Sequence, residues 1–194
     1  MIEFSKYGST SRLNRDMVIS EKIDGTNCAI GISEDGEVLA GKRSSWIEGD
    51  LDHMGFREWV LNNKDSLIRD LGPGIHRGEW YGYKIQHGYG LKENRFALFN
   101  TGKWADRDFE TPNLECVPIL YKGPFDTNVV DFHVNLLKKY GSRAVPGNMR
   151  PEGVIVYHSA LGLPLKVTCE NDEYHKTQVK KKKEARNQVR ANNG

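Results

Sequence analysis

Apolar residues recur along this chain in short blocks of two different periods. β-type runs occupy Met17-Val18-Ile19, residues 28–32 and Val38-Leu39-Ala40, and Asp35-Gly36 between the last two is a hairpin signal. Helical spacing runs from about Gly55 to Leu71. Phe56, Trp59, Val60, Leu67 and Ile68 share its apolar face, and Gly72-Pro73-Gly74 ends it. Strands resume at residues 78–81 and 96–99. A second helix is predicted from about Thr127 to Tyr140, with Val129, Phe132, Leu136, Leu137 and Tyr140 on one face and Gly141 as the cap. Residues 154–157 and 165–168 are strands, and the tail from about Asn171 reads as a polar helix. Strands come in groups with helices inserted among them. The expected fold is therefore α+β with largely antiparallel sheets.

The chain has 194 residues, enough for one domain or one domain with a short appendage. No apolar run approaches the ~18 residues of a membrane span, and the first residues lack the layout of a signal peptide. Cys28, Cys116 and Cys169 are odd in number and form no Cys-x-x-Cys pair. That argues against a disulfide scaffold or a structural zinc site and for a reducing, cytoplasmic setting. The overall charge of +2 hides an asymmetry. Residues 176–194 hold seven basic side chains against one acid, Glu184, so this stretch carries +6 and residues 1–175 carry −4. A basic tail of this kind suits a phosphate backbone or, more simply, a solvated helical end.

Candidate chemistry begins at Glu21-Lys22-Ile23-Asp24-Gly25-Thr26-Asn27. A lysine is a nucleophile only as the free amine, which desolvation or nearby positive charge favours. Gly25 would let backbone approach a ligand closely. Alone, Lys-x-Asp-Gly is most simply an exposed turn. Further segments change that weighting: Gly41-Lys42-Arg43-Ser44, Arg77-Gly78-Glu79-Trp80, Phe96-Ala97-Leu98-Phe99-Asn100, Pro151-Glu152-Gly153 before an apolar strand, and Leu165-Lys166-Val167. Charged residues on three otherwise apolar strands suggest convergence on one site, because burying them without partners is costly. The six histidines show no metal-ligand spacing, and most read as surface or core residues.

Taken in order, these six segments resemble the covalent nucleotidyltransferase superfamily, and within it the ATP-dependent RNA ligases of bacteriophages. The likeness spans roughly residues 18–176. Residues 78–86 are similar to the extended third motif of those ligases. The resemblance implies the ligase and capping-enzyme adenylyltransferase fold over residues 1–175, with 176–194 as a basic tail or helix. It implies that Lys22 attacks the α-phosphate of ATP to form lysyl–AMP. Glu21 would lie at the adenine edge through its backbone, and Asp24 and Gly25 would shape the nucleotide loop. Arg43 would grip the ribose or the acceptor's terminal phosphate, Glu79 the ribose hydroxyls or a metal. Phe99 would stack on adenine, with Phe96 as the second choice. Glu152 would coordinate Mg²⁺ or Mn²⁺, and Lys166 would contact the α-phosphate. AMP would then pass to a 5′-phosphate end, and a 3′-hydroxyl would displace it. The implied partners are RNA ends, or DNA and hybrid ends, met by a monomer. The phage-type likeness extends the setting to a host cytoplasm.

Three departures from the pattern stand out. The last motif carries Lys166-Val167-Thr168 where two lysines are usual, with His175-Lys176 as possible compensation. Asn100 replaces an acid after Phe99. The chain reads as the catalytic domain alone, which leaves Lys180, Lys181, Lys182 and Lys183 of the tail to hold a strand. A DNA ligase, a GTP-using capping enzyme and a non-catalytic nucleic-acid-binding relative are the competing readings.

Overall fold

The computed structural model describes residues 3–173. The tail lysines and the predicted polar helix beyond residue 173 therefore lie outside the described residues; its expected first residues, 171–173, form a turn, with Asn171 at φ 55°. Two sheets form the framework. Strands β1 (Asp16–Lys22), β7 (Ile119–Pro124), β8 (Gly153–His158) and β9 (Leu163–Thr168) make one sheet in the order β7-β1-β8-β9, antiparallel throughout. Strands β2 (Thr26–Ile32), β3 (Val38–Lys42), β4 (Gly74–Gly82), β5 (Asn94–Leu98) and β6 (Leu114–Cys116) make the other, in the order β3-β2-β4-β5-β6. Only β5–β6 in it is parallel. The α+β expectation holds. The short strands β6 and β7 were not legible, β7 because Lys122, Gly123 and Pro124 interrupt its apolar pattern.

Each sheet is covered by helices on one face. Cys28, Ile30, Ile32, Trp80, Phe96 and Leu98 pack against Phe56, Val60, Leu67 and Leu71. Those last four come from two helices, α1 (Phe56–Asn62) and α2 (Lys64–Leu71), not the single helix expected over 55–71. The break falls at Asn63, whose side-chain amide donates to the Trp59 carbonyl at 2.8 Å. That bond competes with the backbone ladder and lets Asn63 leave helical geometry. On the other sheet Met17, Ile19, Val154 and Val156 pack against α4 (Thr127–Tyr140). A short helix, α3 (Thr101–Trp104), follows β5.

The position of α4 is as expected, and its buried face is so in part: Leu137 is buried and Val129 packs against the same core. Val130, Val134 and Leu137 are buried, whereas Phe132 and Tyr140 are exposed. Both stripes have helical period, and only the Met17–Val156 surface beneath decides which one is covered. The Asp35-Gly36 turn is as expected, with Gly36 at φ 84° and Ser33 N–H donating to the Glu37 carbonyl at 2.9 Å.

Candidate active site

Strand alternation assigns each charged segment to a face. On β1, Met17, Ile19 and Glu21 face α4, so Val18, Ser20 and Lys22 face the other way. Lys22 pairs with Gly153, and Gly153 with Thr168 on β9. Ser20 pairs with Ile155, and Ile155 with Lys166. Lys22, Thr168 and Lys166 therefore share the helix-free face of their sheet. On the other sheet the helix-free face carries Asn27, Ala29 and Gly31 of β2, Arg77, Glu79 and Tyr81 of β4, and Ala97 of β5. Ile23, Asp24 and Gly25 link the two sheets. Ile23 packs there with Tyr81, Tyr89, Ala97 and Val117 in a third buried cluster.

Gly25 is the tightest point of this link. A Cβ there would meet Tyr81 Cβ at 2.8 Å and Glu79 Cγ at 2.9 Å, and the Trp80 carbonyl closer still. Only glycine allows the link to lie on β4. Its N–H donates to Glu79 Oε1 at 3.1 Å, and Asn27 Nδ2 donates to Glu79 Oε2 at 2.8 Å. Burial pushes the Glu79 carboxyl up to about 7. The Lys22 charge and the Gly25 amide pull the other way, and Glu152 and Asp24 add to the rise.

Lys22 Nζ lies 2.6 Å from Glu152 Oε2, with both side chains mostly buried at 17% and 13% exposed. The two residues are 130 positions apart and meet because β1 and β8 are neighbours. The carboxylate partners the ammonium form, so the pair must open before the amine can attack an electrophile.

Glu21 is 1% exposed, and its Oε2 accepts from the Arg143 and Ala144 N–H groups at 2.7 and 2.9 Å. The side chain thus ties the loop after α4 to the back of β1. Phe96 is fully buried beside Phe56 on the helix side. Phe99 continues the β5 ladder through its N–H to the Arg77 carbonyl at 3.0 Å. Alternation puts it on the Glu79 face, 41% exposed. Arg43 lies in the turn just past β3, exposed. Lys166 is likewise exposed on β9. Thr168 Oγ1 donates to the Glu170 carbonyl at 2.9 Å.

Several residues here were not foreseen. Asp24 N–H donates to the Tyr89 hydroxyl at 2.7 Å, and Asp24 Oδ2 lies 3.0 Å from His87 Nδ1. His87 Nε2 is buried without a protein partner among the described residues. Thr26 Oγ1 lies 3.0 Å from His53 Nε2. His87 thus joins the link at Asp24, whereas His53 meets Thr26 on the helix-covered face, in register with Trp80. Gln86 Nε2 donates to the Gly25 carbonyl at 3.4 Å. His87 and Tyr89 come from a coiled loop in which Lys84, Gln86 and Tyr89 all have positive φ. Such backbone strain collects at functional sites. Its sequence signals were the crowding of Gly82, Gly88 and Gly90 and the likeness of residues 78–86 to the third ligase motif.

No group of three or more His, Cys, Asp or Glu side chains among the described residues could hold a metal ion. Glu152 and Glu79 alone are no all-protein cage. They fit a hard divalent cation that keeps its waters and shares one or two carboxylates with substrate phosphates. Among the described residues, no helix is long and apolar enough to cross a membrane.

This is a nucleotidyltransferase-type fold, with its lysine and carboxylates gathered on the inner faces of two sheets. The family model described as RNA ligase matches residues 15–168. The chain belongs to the RNA ligase family. Solved structures of a Naegleria gruberi RNA ligase share the fold. One variant with AMP and Mn is 16% identical, with a TM-score of 0.56 over 80% of this chain and 50% of that one. Another with ATP and Mn is 17% identical, with a TM-score of 0.54 over 81% and 51%. A third, with PPi, is 16% identical, with a TM-score of 0.54 over 79% and 49%. The chain spans about half the length of these ligases. No curated protein matches its sequence.

Proposed function

We propose that this chain is an ATP-dependent RNA ligase that joins 3′-hydroxyl and 5′-phosphate ends through a lysyl–AMP intermediate on Lys22. The observation that carries this reading is the Lys22–Glu152 pair, set in the same row as Thr168 and within electrostatic reach of buried Glu79. The Lys22 amine attacks the α-phosphate of ATP. The Nζ–P bond forms, the bond from the α-phosphorus to the pyrophosphate oxygen breaks, and the amine loses a proton. A nucleic-acid 5′-phosphate then takes the AMP, and a 3′-hydroxyl displaces it. Positioning and charge neutralisation carry most of such phosphoryl chemistry.

Lys166 on the Lys22 face is the cation for the α-phosphate. Asp24 and Gly25, held by Tyr89 and His87 and by Glu79, shape the nucleotide loop. Glu79, protonated or ionised near neutral pH, serves the ribose hydroxyls. Phe99 is the adenine platform, since Phe96 is committed to the helix side. Arg43 meets the ribose or the acceptor's terminal phosphate. Glu21 acts from behind, bracing the loop at residues 143–144 while its backbone lies at the adenine edge. Glu152 and Glu79 would hold Mg²⁺, which supplies charge neutralisation on the phosphates. The same reading makes residues 1–175 the adenylyltransferase domain and the tail lysines a strand-holding element. The protein would work as a cytoplasmic monomer in RNA repair of the bacteriophage type.

The experiment is intact-mass measurement after incubation with ATP and Mg²⁺, beside Lys22→Ala. A gain of one AMP by the native chain and none by the variant is expected. A gain from GTP alone would instead select a capping enzyme. No gain, even after pyrophosphate treatment to strip resident AMP, would select a non-catalytic relative.

A further inference from the structure

The helix-free face of the β3-β2-β4-β5-β6 sheet continues outward past Glu79, and it carries an indole that the nucleotide site does not use. Trp46 lies on Gly31 and Gly41, glycines on two neighbouring strands. A Cβ at Gly31 would meet Trp46 Cη2 at 2.6 Å, and one at Gly41 would meet Cε3 and Cζ3 at 2.9 and 3.0 Å. Glycine weakens a strand interior and marks a place where something must approach closely. Here two of them seat one ring. The turn beneath is held by Lys42 N–H to the Ser45 carbonyl and Ile47 N–H to the Ala40 carbonyl, both at 2.9 Å.

The other tryptophans are placed differently. Trp80 and Trp104 are 2% exposed, and Trp59 packs on Phe56 and Trp80 with its N–H on the Pro112 carbonyl. Trp46 is 38% exposed. Its ring contacts no other aromatic ring among the described residues, and one of its faces is spent on the two glycines. A large, seated and half-open indole on a protein of this family is a stacking surface.

Its neighbours are cationic. Gly41 pairs with Ala29, and Ala29 with Arg77, so the seat of Trp46 and exposed Arg77 stand in one row with small Ala29 between them. Arg43 is exposed in the same turn, whereas Lys42, paired with Cys28, faces the helix side. The row is continuous with the catalytic site. Asn27, which holds Glu79, is two residues along β2 from Ala29. Strand rise and spacing put Gly41 roughly 12 Å from Glu79, or about four stacked nucleotides at roughly 3.4 Å each.

We propose that Trp46 is a base-stacking platform for the RNA strand being joined, with Arg77 and Arg43 of the turn on its phosphates. This rests on the proposed ligase function and adds a specific strand contact to it. Stacking makes the contact tolerant of base identity, and it fixes the strand at one nucleotide position a few residues from the reactive end.

The test is a cycle between protein and RNA. Binding of a labelled, 5′-phosphorylated single-stranded oligoribonucleotide is measured by anisotropy, with one abasic position moved along the strand, for the native chain and Trp46→Ala. For the native chain, one abasic position near the reactive end should weaken Kd roughly tenfold, the size of one base–aromatic stack. Trp46→Ala should lose the same factor on intact RNA and then be indifferent to that abasic position. Trp46→Leu, which keeps bulk over the glycines, covers the case in which alanine unfolds the sheet; it should lose the same factor at an unchanged Tm, and Trp46→Phe should recover part of it. Arg77→Ala should weaken all strands alike and lower the salt dependence. Native affinity in folded Trp46→Leu, or unchanged abasic sensitivity in either variant, overturns the proposal. Weaker ATP binding with native RNA binding would also overturn it, by assigning the ring to the nucleotide. AMP gain by the native chain is measured separately, so failure of the ligase reading and failure of the platform are told apart.

Discussion

The two carboxylates beside the Ile23–Gly25 link meet opposite surroundings. Glu152, on the β7-β1-β8-β9 side, contacts a cation, and exposed Lys166 shares the face beside it. Glu79, on the other side, is held by two neutral N–H donors and backed by Tyr81 and Ala97. Burial shifts it toward its protonated form. One sheet thus presents the paired Lys22 ammonium and exposed Lys166, charge of the kind that suits a polyphosphate. The other presents fixed hydrogen bonds and aromatic surface, as a nucleoside requires. Under the proposed ligase function, an α-phosphate joined to a ribose would meet both.

The comparison is broken most severely at its link. Gly25→Ala would push a methyl into the Trp80 carbonyl and against Tyr81 and Glu79. Backbone cannot yield as a side-chain end can. The expected cost is about 3 kcal/mol, or a Tm lower by roughly 6–12 °C for a chain of this size. AMP gain should fall more than tenfold even at temperatures where the variant is folded, because Glu79 and Asp24 lose their common anchor. Thermal melting and intact mass check both. A native Tm would mean that the link does not rest on β4.

How much of this was legible depended on whether a residue's role is local. Lys22, Asp24, Gly25, Glu79, Glu152 and Lys166 stand in short ordered motifs that sequence alone displays. Which way Lys22, Glu79 and Lys166 face follows from strand alternation once the register is known. Alternation also separates Phe99 from Phe96, and no composition argument could. Contacts made across long separations were not legible. His87 and Tyr89 reach Asp24 over 63 and 65 residues through a loop of unusual backbone. Glu21 serves the loop after α4 over 122 residues. The covered face of α4 and the break at Asn63 were decided by packing and by one side-chain bond. Local spacing does not contain either.

The raised Glu79 carboxyl sharpens the comparison through pH. Its usual value is 4.5, and in the fold it lies at about 7. Between these values the folded state holds the proton more tightly than the unfolded chain. Stability from this group is present below about 4.5 and is lost as pH rises through 7. Glu79→Gln removes that loss, so it should raise Tm at pH 8 by roughly 5 °C, on the order of 2 kcal/mol, and change it little at pH 4.5. Melting at the two pH values checks this. An equal shift at both would mean that the substitution acts through packing and not through charge. The same variant should lose AMP gain, since an amide serves a ribose hydroxyl less well than a carboxylate.

The smallest effect tests whether the charged sheet lacks a charge. Thr168 stands in the row of Gly153 and Lys22, with Lys166 two residues along on the same face. A lysine there would add a second cation directly across from the nucleophile. Thr168 is not deeply engaged. Its hydroxyl bonds the Glu170 carbonyl and Asp172, and its N–H, which any residue supplies, donates to Asp172 at 2.7 Å. Thr168→Lys should therefore fold and raise the rate of AMP gain by a factor of roughly three at low ionic strength, about 0.6 kcal/mol of added charge stabilisation. The gain should shrink as salt screens the partly exposed site. Asp172 is the competitor for the new ammonium, so Thr168→Lys combined with Asp172→Asn should gain more than the single change. If neither variant alters the rate at any salt concentration, the phosphates do not lie on this sheet, and the division of labour between the two faces is wrong.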